Sequence, residues 1–308
     1  MNCNIVEELN ASNVEPKTVP NPTDGRSCRE INKKEGSTEN LSVIKSNISI
    51  ENSTFKEKFN FSNAQFNNAV SFKRTIFNNS VDFNGTNFKN GANFCNSIFD
   101  NSAYFYNSIF NYRANFFNSN FRNDANFYNS TFENDANFYN SNFKNDANFH
   151  NSTFSNYGND TSFKRANFNN FAYFYNSTFG TSSNYTYFSE AKFNNSAYFY
   201  NSNFNGYALF DHVSFNDYSY FNNSIFQNSI YFDGSTFNNS ANFCMAKFVE
   251  TADFSGPTKP DNLTSGKTNV HIFANYYNRI GQDNYAYIVY HNYRSADLKK
   301  EFSFLAHL

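Results

Sequence analysis

The amino-acid sequence predicts an all-β protein, a parallel β-helix (solenoid) of about nine to ten coils that is followed by a C-terminal α-helical hairpin. Three observations predict the solenoid. Phenylalanine recurs in steps of alternately six and five residues over about 200 of the 308 residues, a small residue stands two positions before most of these Phe, and Asn usually stands two positions after them. The composition agrees, because 42 Phe, 22 Tyr and no Trp is a bias typical of repeats.

The spacing of Phe defines the coil. The alternation runs from Phe55 to Phe154, continues from Phe163 to Phe179 and resumes from Phe188 to Phe254, so that 36 Phe share one register. The mean step of about 5.5 fits neither a helix nor a strand, whose side chains repeat every 3.6 and 2 residues, so each Phe marks one short side of a coil that then turns a corner.

Each repeat predicts one side and one corner. In Ala125-Asn126-Phe127 the alternation of a strand points Ala and Phe inward and Asn outward. Asn tolerates left-handed backbone, so the Asn two positions after Phe is predicted to take that conformation at a tight corner. This applies to Asn129, Asn134, Asn140 and Asn145. One extra residue widens each alternate corner, as at Asp124, Asp135, Asp146 and Ser196.

These repeats resemble the pentapeptide-repeat family, most closely its Phe-centred branch with alternating five- and six-residue steps. The resemblance implies a right-handed, four-sided β-solenoid. Two insertions, at 155–162 and 180–187, support four sides independently, because each adds three residues between consecutive Phe. From Phe154 to Phe179 is four steps, so both insertions leave the same corner of adjacent coils if a coil has four sides.

The chain divides into four predicted parts. Residues 1–40 are polar and aperiodic and are expected to form a disordered or loosely attached tail. Residues 41–256 form the solenoid, 257–267 a linker containing Pro257 and Pro260, and 268–308 a helical hairpin that caps the last coil. In the Phe-centred branch a similar hairpin often follows the solenoid and can lead into a membrane-embedded domain, which leaves open membrane association through a partner.

Composition and charge exclude several functions. The chain has 24 basic and 26 acidic residues, a formal net charge of -2, and therefore lacks the basic excess that nucleic acid attracts. Cys3, Cys28, Cys95 and Cys244 lie far apart and show no metal-ligand or disulfide spacing. We find neither an export signal nor an apolar stretch of about 18 residues, so the expected location is cytoplasmic, with no membrane span in this chain.

No catalytic, cofactor-binding or metal site is predicted, and the chain is not expected to be an enzyme. The five His residues do not cluster, and no Gly-rich phosphate loop occurs. Asp124 and Asp146 lie one coil apart at one corner, a geometry that suits a cation, although a solvated corner is the expected interpretation.

One wall of the predicted solenoid carries an aromatic ladder. Its outward residues stand directly before or after Phe residues that are four sides apart: Tyr104, Tyr106, Tyr128, His150, Tyr173, Tyr175, Tyr198, Tyr200 and Tyr220. On the opposite wall the positions directly after Phe are Cys95, Phe117, Tyr139, Lys164, Ser189, Asp211 and Asp233, so that the aromatic stretch there fades after Tyr139. The ladder is a candidate interface, with cross-strand pairing that merely stabilises the sheet as the competing interpretation.

Three functions follow from these observations. The favoured one is a non-catalytic scaffold whose rigid surface binds a protein partner or a second copy of the chain. A DNA mimic that regulates a DNA-binding enzyme such as gyrase is the alternative implied by the resemblance. It requires a dense negative surface, whereas the repeats have 14 acidic and 12 basic residues between Phe55 and Phe254. The third is a carbohydrate-binding surface, because stacked Tyr can hold sugar rings.

Overall fold

The computed structural model describes residues 42–154 and 160–254, together with short strands at 19–20, 27–28, 32–33 and 263–264. The solenoid consists of strands two or three residues long, and strands that follow one another along the chain belong to four different sheets in rotation. Every fifth strand returns to the first sheet, so the coil has four sides. We number these sheets as faces 1 to 4 in the order in which the chain visits them from Thr54–Phe55 onward.

Face 1 contains nine strands and face 2 contains ten. Face 1 consists of Thr54–Phe55, Ile76–Phe77, Ile98–Phe99, Asn120–Phe121, Asn142–Phe143, Asn167–Phe168, Lys192–Phe193, Ser214–Phe215 and Thr236–Phe237. Face 2 consists of Phe59–Asn60, Val81–Asp82, Ala103–Tyr104, Ala125–Asn126, Ala147–Asn148, Ala172–Tyr173, Ala197–Tyr198, Ser219–Tyr220, Ala241–Asn242 and Leu263–Thr264.

Face 3 contains eleven strands and face 4 contains ten. Face 3 consists of Asn32–Lys33, Ser42–Ile44, Ala64–Phe66, Asn87–Phe88, Ile109–Phe110, Thr131–Phe132, Thr153–Phe154, Thr178–Phe179, Asn203–Phe204, Ile225–Phe226 and Lys247–Phe248. Face 4 consists of Ile48–Ser49, Val70–Ser71, Ala92–Asn93, Ala114–Asn115, Ala136–Asn137, Thr161–Ser162, Tyr185–Tyr187, Tyr207–Leu209, Ile230–Tyr231 and Ala252–Asp253.

Within the repeats the strands pair parallel and in register, for example Phe99 with Phe121 and Phe121 with Phe143. The prediction of an all-β, four-sided parallel solenoid of about nine turns is therefore confirmed. The described residues contain β-strands, turns and bends but no helix. At the usual strand spacing of about 4.8 Å, nine coils make a rod about 43 Å long.

Stacked Phe rings fill the interior. All 36 Phe in register are buried except Phe248, which is partly buried at the C-terminal end. Along the rod the rings stack nearly parallel, as between Phe116 and Phe138, whose centroids are 4.8 Å apart at 1°. Between opposite faces they meet edge to face, as between Phe127 and Phe138 at 5.3 Å and 85°. Both are favourable aromatic geometries, and each buried ring contributes about 1.5–3 kcal/mol.

The two kinds of corner differ in backbone conformation. After faces 2 and 4 the step is five residues, and φ is positive at Asn129 (54°) and Asn140 (57°). After faces 1 and 3 the step is six residues, and Asn134 and Asn145 do not have positive φ. The prediction of left-handed backbone was therefore wrong for Asn134 and Asn145, because the extra residue opens their corners wide enough for ordinary backbone.

The identity of the small inward residue depends on the corner that precedes it. Ala is the commonest residue at this position on faces 2 and 4, which follow six-residue corners, whereas Ser or Thr predominates on faces 1 and 3, which follow five-residue corners. The hydroxyl of Ser141 donates to the backbone oxygen of Phe116 at 2.6 Å, and that of Ser152 donates to the oxygen of Phe127 at 2.6 Å. These buried bonds join each coil to the one before it and satisfy carbonyl groups at the turns.

Both insertions leave the corner between faces 3 and 4, as predicted. Thr153 pairs with Thr178 before the insertions, and Thr161 pairs with Thr186 after them. The second insertion packs closely on the following coil at Gly206, where a Cβ atom would lie 2.1 Å from the backbone oxygen of Asn184. Glycine is required there by this close approach.

The predicted ends of the chain stay predictions. Backbone pairing joins Val19–Pro20 to Ser27–Cys28 and Asn32–Lys33 to the first solenoid strand, all within the segment predicted as a tail. Leu263–Thr264, in the predicted linker, pairs with Ala241–Asn242 of face 2. The predicted helical hairpin at 268–308 lies outside the described residues.

Candidate protein-interaction surface

The predicted ladder residues lie on face 2, in two columns that flank the buried Phe column. We call the outward side of face 2 from Tyr104 to Tyr220 the tyrosine face. Strand pairing aligns one column, because Tyr173 is opposite Tyr198 and Tyr198 is opposite Tyr220. The alternation of the strand places the second column two residues further along the chain.

The second column is a continuous stack of rings. The centroids of Tyr128 and His150 are 4.2 Å apart, those of His150 and Tyr175 are 4.4 Å apart, and those of Tyr175 and Tyr200 are 4.7 Å apart at 5°. All four side chains are half-buried. The two inner rings, His150 and Tyr175, are therefore held between aromatic neighbours before any partner binds.

The first column is stacked in its C-terminal part, from Tyr173 to Tyr220. Tyr173 and Tyr198 are 5.2 Å apart at 15°, and Tyr198 and Tyr220 are 5.1 Å apart at 5°. The two columns meet edge to face between Tyr173 and Tyr175, at 6.3 Å and 89°. The structure thus brings seven of the nine predicted residues into one connected aromatic surface.

Tyr104 and Tyr106, the two most N-terminal residues of the predicted ladder, lie outside the connected stack. Tyr104 pairs with Asp82 below it and Asn126 above it, so polar side chains separate it from the stacked part of its column. Tyr106 lies one coil below Tyr128 and is 37% exposed. They share the face with the ladder but lie beyond the continuous stack.

Sequence reasoning missed two members of this surface. Phe171 lies 6.0 Å from Tyr173, and Tyr218 lies 6.1 Å from Tyr220. Both precede the inward small residue, at the end of the wide corner that leads into face 2. The sequence signal for them is an aromatic residue three positions before the inward Phe of face 2.

Burial keeps these side chains neutral. It raises the pKa of Tyr173, Tyr175, Tyr200 and Tyr220, so the phenols stay protonated at neutral pH. Burial lowers the pKa of His150, whose Nδ1 lies 2.7 Å from Oδ1 of Asn148. The stacked rings of the tyrosine face are consequently uncharged at neutral pH, with the carboxyl groups of Asp124 and Asp146 beside them.

The acidic corner beside this face is satisfied within the protein. The amide of Asn145 donates to Oδ1 of Asp124 at 2.5 Å, and that of Asn170 donates to Oδ1 of Asp146 at 2.7 Å. Each carboxylate thus has an amide partner on the next coil. Among the described residues no group of three or more His, Cys, Asp or Glu side chains is placed to hold a metal ion.

Over the part of the chain that the structure describes, no helix has the length and apolar character needed to cross a bilayer.

The architecture defines the class of protein. A square parallel coil with stacked Phe in its interior, mostly small residues at the adjoining inward positions and left-handed backbone, most often at Asn, at every second corner is a pentapeptide-type β-solenoid.

Comparison with known proteins names the family. Residues 61–109 and 116–159 match the family model for pentapeptide repeats (9 copies), so this part of the chain consists of pentapeptide repeats. No curated protein and no solved structure matches the chain.

Proposed function

We propose that this solenoid is a non-catalytic scaffold whose tyrosine face binds a protein, either a second copy of the chain or a different partner. The observation that carries the proposal is the connected stack from Tyr128 to Tyr220, which presents one uncharged aromatic surface across successive coils. Tyrosine is enriched at the centres of protein interfaces, because its ring supplies contact area and its hydroxyl supplies hydrogen bonds.

The stacking favours a protein partner over a sugar. A sugar ring binds on the open face of an aromatic ring, whereas the faces in the ladder cover one another at spacings such as 4.7 Å between Tyr175 and Tyr200. The surface therefore offers ring edges and hydroxyl groups. A protein with apolar and hydrogen-bonding side chains complements such a surface, and the stacked rings lose little side-chain entropy when it binds.

The charge distribution does not favour the DNA-mimic alternative. Such a mimic must present closely spaced negative charges, but basic and acidic residues pair on the surface, as Arg122 does with Asp100 at 2.7 Å and Arg113 with Asp135 at 3.0 Å. The tyrosine face itself carries uncharged rings at its centre. We therefore favour protein binding over mimicry of a nucleic acid.

The test compares two matched pairs of stacked tyrosines. Tyr175→Ser with Tyr200→Ser removes a pair from the tyrosine face, and Tyr185→Ser with Tyr207→Ser removes a pair stacked at 4.9 Å on face 4. Sedimentation velocity over a concentration series measures self-association, and quantitative affinity capture from the native cell measures other partners. The proposal predicts that only the first variant loses association, while both keep the circular dichroism spectrum of the wild type.

Two outcomes contradict the proposal. One is unchanged association of the Tyr175/Tyr200 variant in both assays. The other is an equal loss in the Tyr185/Tyr207 variant, which would show that association does not depend on the tyrosine face.

A further inference from the structure

Face 4 carries an open groove of about 490 Å³, on the opposite side of the solenoid from the tyrosine face. Strand pairing places Asn137, Ser162 and Tyr187 in one column on successive coils. The first two are small and form the floor of the groove, and the Tyr187 ring closes one end. The small side chain of Ser162, next to Tyr187 in the column, leaves space that a larger side chain would fill.

Tyr187 has no aromatic neighbour on the preceding coil, and the Tyr185 ring lies beside it at 5.7 Å. Its neighbour in the column on that side is Ser162, whereas each inner ring of the tyrosine-face stack has an aromatic neighbour on both sides. The hydroxyl of Tyr187 donates to Oδ2 of Asp160 on the preceding coil at 3.4 Å. This long contact links the Tyr187 hydroxyl to the acidic wall of the groove.

The two long walls of the groove differ in chemistry. Asp135 and Asp160 stand two residues before the floor residues, and Tyr139 and Lys164 stand two residues after them. One wall therefore offers carboxylate acceptors. The other offers an ammonium group, which has three donors, beside the Tyr139 ring.

The charged groups of the groove already have partners within the protein. Arg113 lies 3.0 Å from Asp135, and Lys164 lies 3.4 Å from Glu190. Oδ1 of Asp160 accepts a hydrogen bond from the backbone N–H of Tyr185 at 2.9 Å. A charged ligand would have to displace these interactions, whereas a neutral ligand with several hydroxyl groups uses the lone pairs and N–H groups that remain.

We propose that this groove binds a carbohydrate, with one sugar ring lying over Ser162 and beneath the ring of Tyr187. The C–H groups of the sugar pack against Tyr187, its hydroxyl groups donate to Asp135 and Asp160, and Lys164 donates to a sugar oxygen. A volume of about 490 Å³ lies within the range of about 300–1,000 Å³ that is usual for small-ligand sites. This site is independent of protein binding at the tyrosine face.

The test uses the whole chain with four neutral probes: the methyl glycosides of glucose, mannose and N-acetylglucosamine, and cellobiose. Calorimetric titration and ligand-observed NMR measure binding. Ser162→Tyr fills the groove by extending the Tyr187 column, and Asn148→Tyr is the matched control, which adds the same ring below Tyr173 on face 2. We expect at least one probe to bind and its affinity to fall at least about tenfold, or ~1.4 kcal/mol, in Ser162→Tyr but not in Asn148→Tyr.

A second variant guards against misfolding. If Ser162→Tyr alters the urea unfolding transition, Tyr187→Ser removes the covering ring, and the same loss of affinity is expected. The proposal is overturned if no probe binds, if a probe binds the groove variant as tightly as the wild type, or if Asn148→Tyr weakens binding equally. Binding of tetramethylammonium in preference to all four sugars also overturns it, because that result assigns the groove to cations.

Discussion

The tyrosine face and face 4 lie on opposite sides of one solenoid and share their interior but not their surface. Phe127 of the first and Phe138 of the second are fully buried and pack edge to face at 5.3 Å. Outside, rings of the tyrosine face stack over successive coils, whereas on face 4 Asn137 and Ser162 precede Tyr187 in its column and a groove lies over them. The repeat thus determines the inward residues and leaves the outward columns free to diverge.

The tight corners that leave these faces show the same contrast. After the tyrosine face the left-handed residue is Asn on six consecutive coils: Asn107, Asn129, Asn151, Asn176, Asn201 and Asn223. After face 4 the Asn column ends at Asn140, and Arg165, Glu190 and His212 take the same conformation. Arg165 and Glu190 are held there by a salt bridge of 2.7 Å. The backbone of the corner is therefore kept even where its residue type changes.

If the interior is common to both faces, truncating either buried ring has the same large cost. We expect Phe127→Ala and Phe138→Ala each to lower the free energy of unfolding by about 3–5 kcal/mol, because each removes a fully buried ring from a close-packed stack. Urea unfolding followed by circular dichroism measures this. The outward control Tyr128→Ala should cost about 1 kcal/mol or less. A smaller loss from Phe138→Ala than from this control would contradict the shared Phe interior.

We expect substitutions at the corner after the tyrosine face to have an intermediate effect on the free energy of unfolding. At Asn129, with φ of 54°, Ala should be about 1–2 kcal/mol less stable than Gly, because a Cβ atom is unfavourable in left-handed backbone. Both substitutions lose the hydrogen bond from the Asn129 amide to Asn107, so their difference isolates the backbone term. At Asn134, which does not have positive φ, Gly should bring no such advantage over Ala. Equal stability of the two Asn129 variants in urea would contradict the assigned corner.

The smallest expected effects come from titration, and the two faces should respond to acid with opposite sign. Burial lowers the pKa of His150 on the tyrosine face, so the unfolded chain binds its proton first and this residue reduces stability as the pH falls through about 6.5. Burial, with a contribution from the Asp160 charge, raises the pKa of Asp135 on face 4. The folded chain then binds that proton first, and this residue adds stability as the pH falls towards about 4.

Unfolding curves of His150→Gln and Asp135→Asn between about pH 7 and about pH 4 separate these two contributions, because His and Asp side chains ordinarily titrate in this range. His150→Gln should lose less stability than the wild type on mild acidification. Asp135→Asn should lose the gain that appears at lower pH. The reverse ordering of either variant would contradict the burial assigned to that side chain.

Much of the fold was predictable because the register of Phe is visible directly in the residue spacing along the chain. It placed Phe154 and Phe179 on one face and hence both insertions at one corner. It did not distinguish Asn129 from Asn134, since both stand two residues after Phe and only the length of the following step separates their corners. The bond from Ser152 to Phe127 joins residues on different coils and becomes visible only in three dimensions.

The surfaces were predictable to different degrees. The columns of the tyrosine face follow from the register, because outward residues four sides apart must lie above one another. The groove depends on how side chains lean, in particular on the bond between Tyr187 and Asp160. No repeat pattern specifies that contact, and Asp160 and Tyr187 both belong to the insertions, where the register is interrupted.

Site-specific photocrosslinking in the native cell tests the central claim most directly. A benzoylphenylalanine residue is introduced in place of Tyr200 on the tyrosine face or in place of Tyr207 on face 4, two half-buried tyrosines that each stack on a tyrosine of the preceding coil. The account predicts a discrete crosslinked protein, a second copy or another chain, from position 200 and none from position 207. Crosslinks from position 207 alone, or equal crosslinking from both positions, would contradict it.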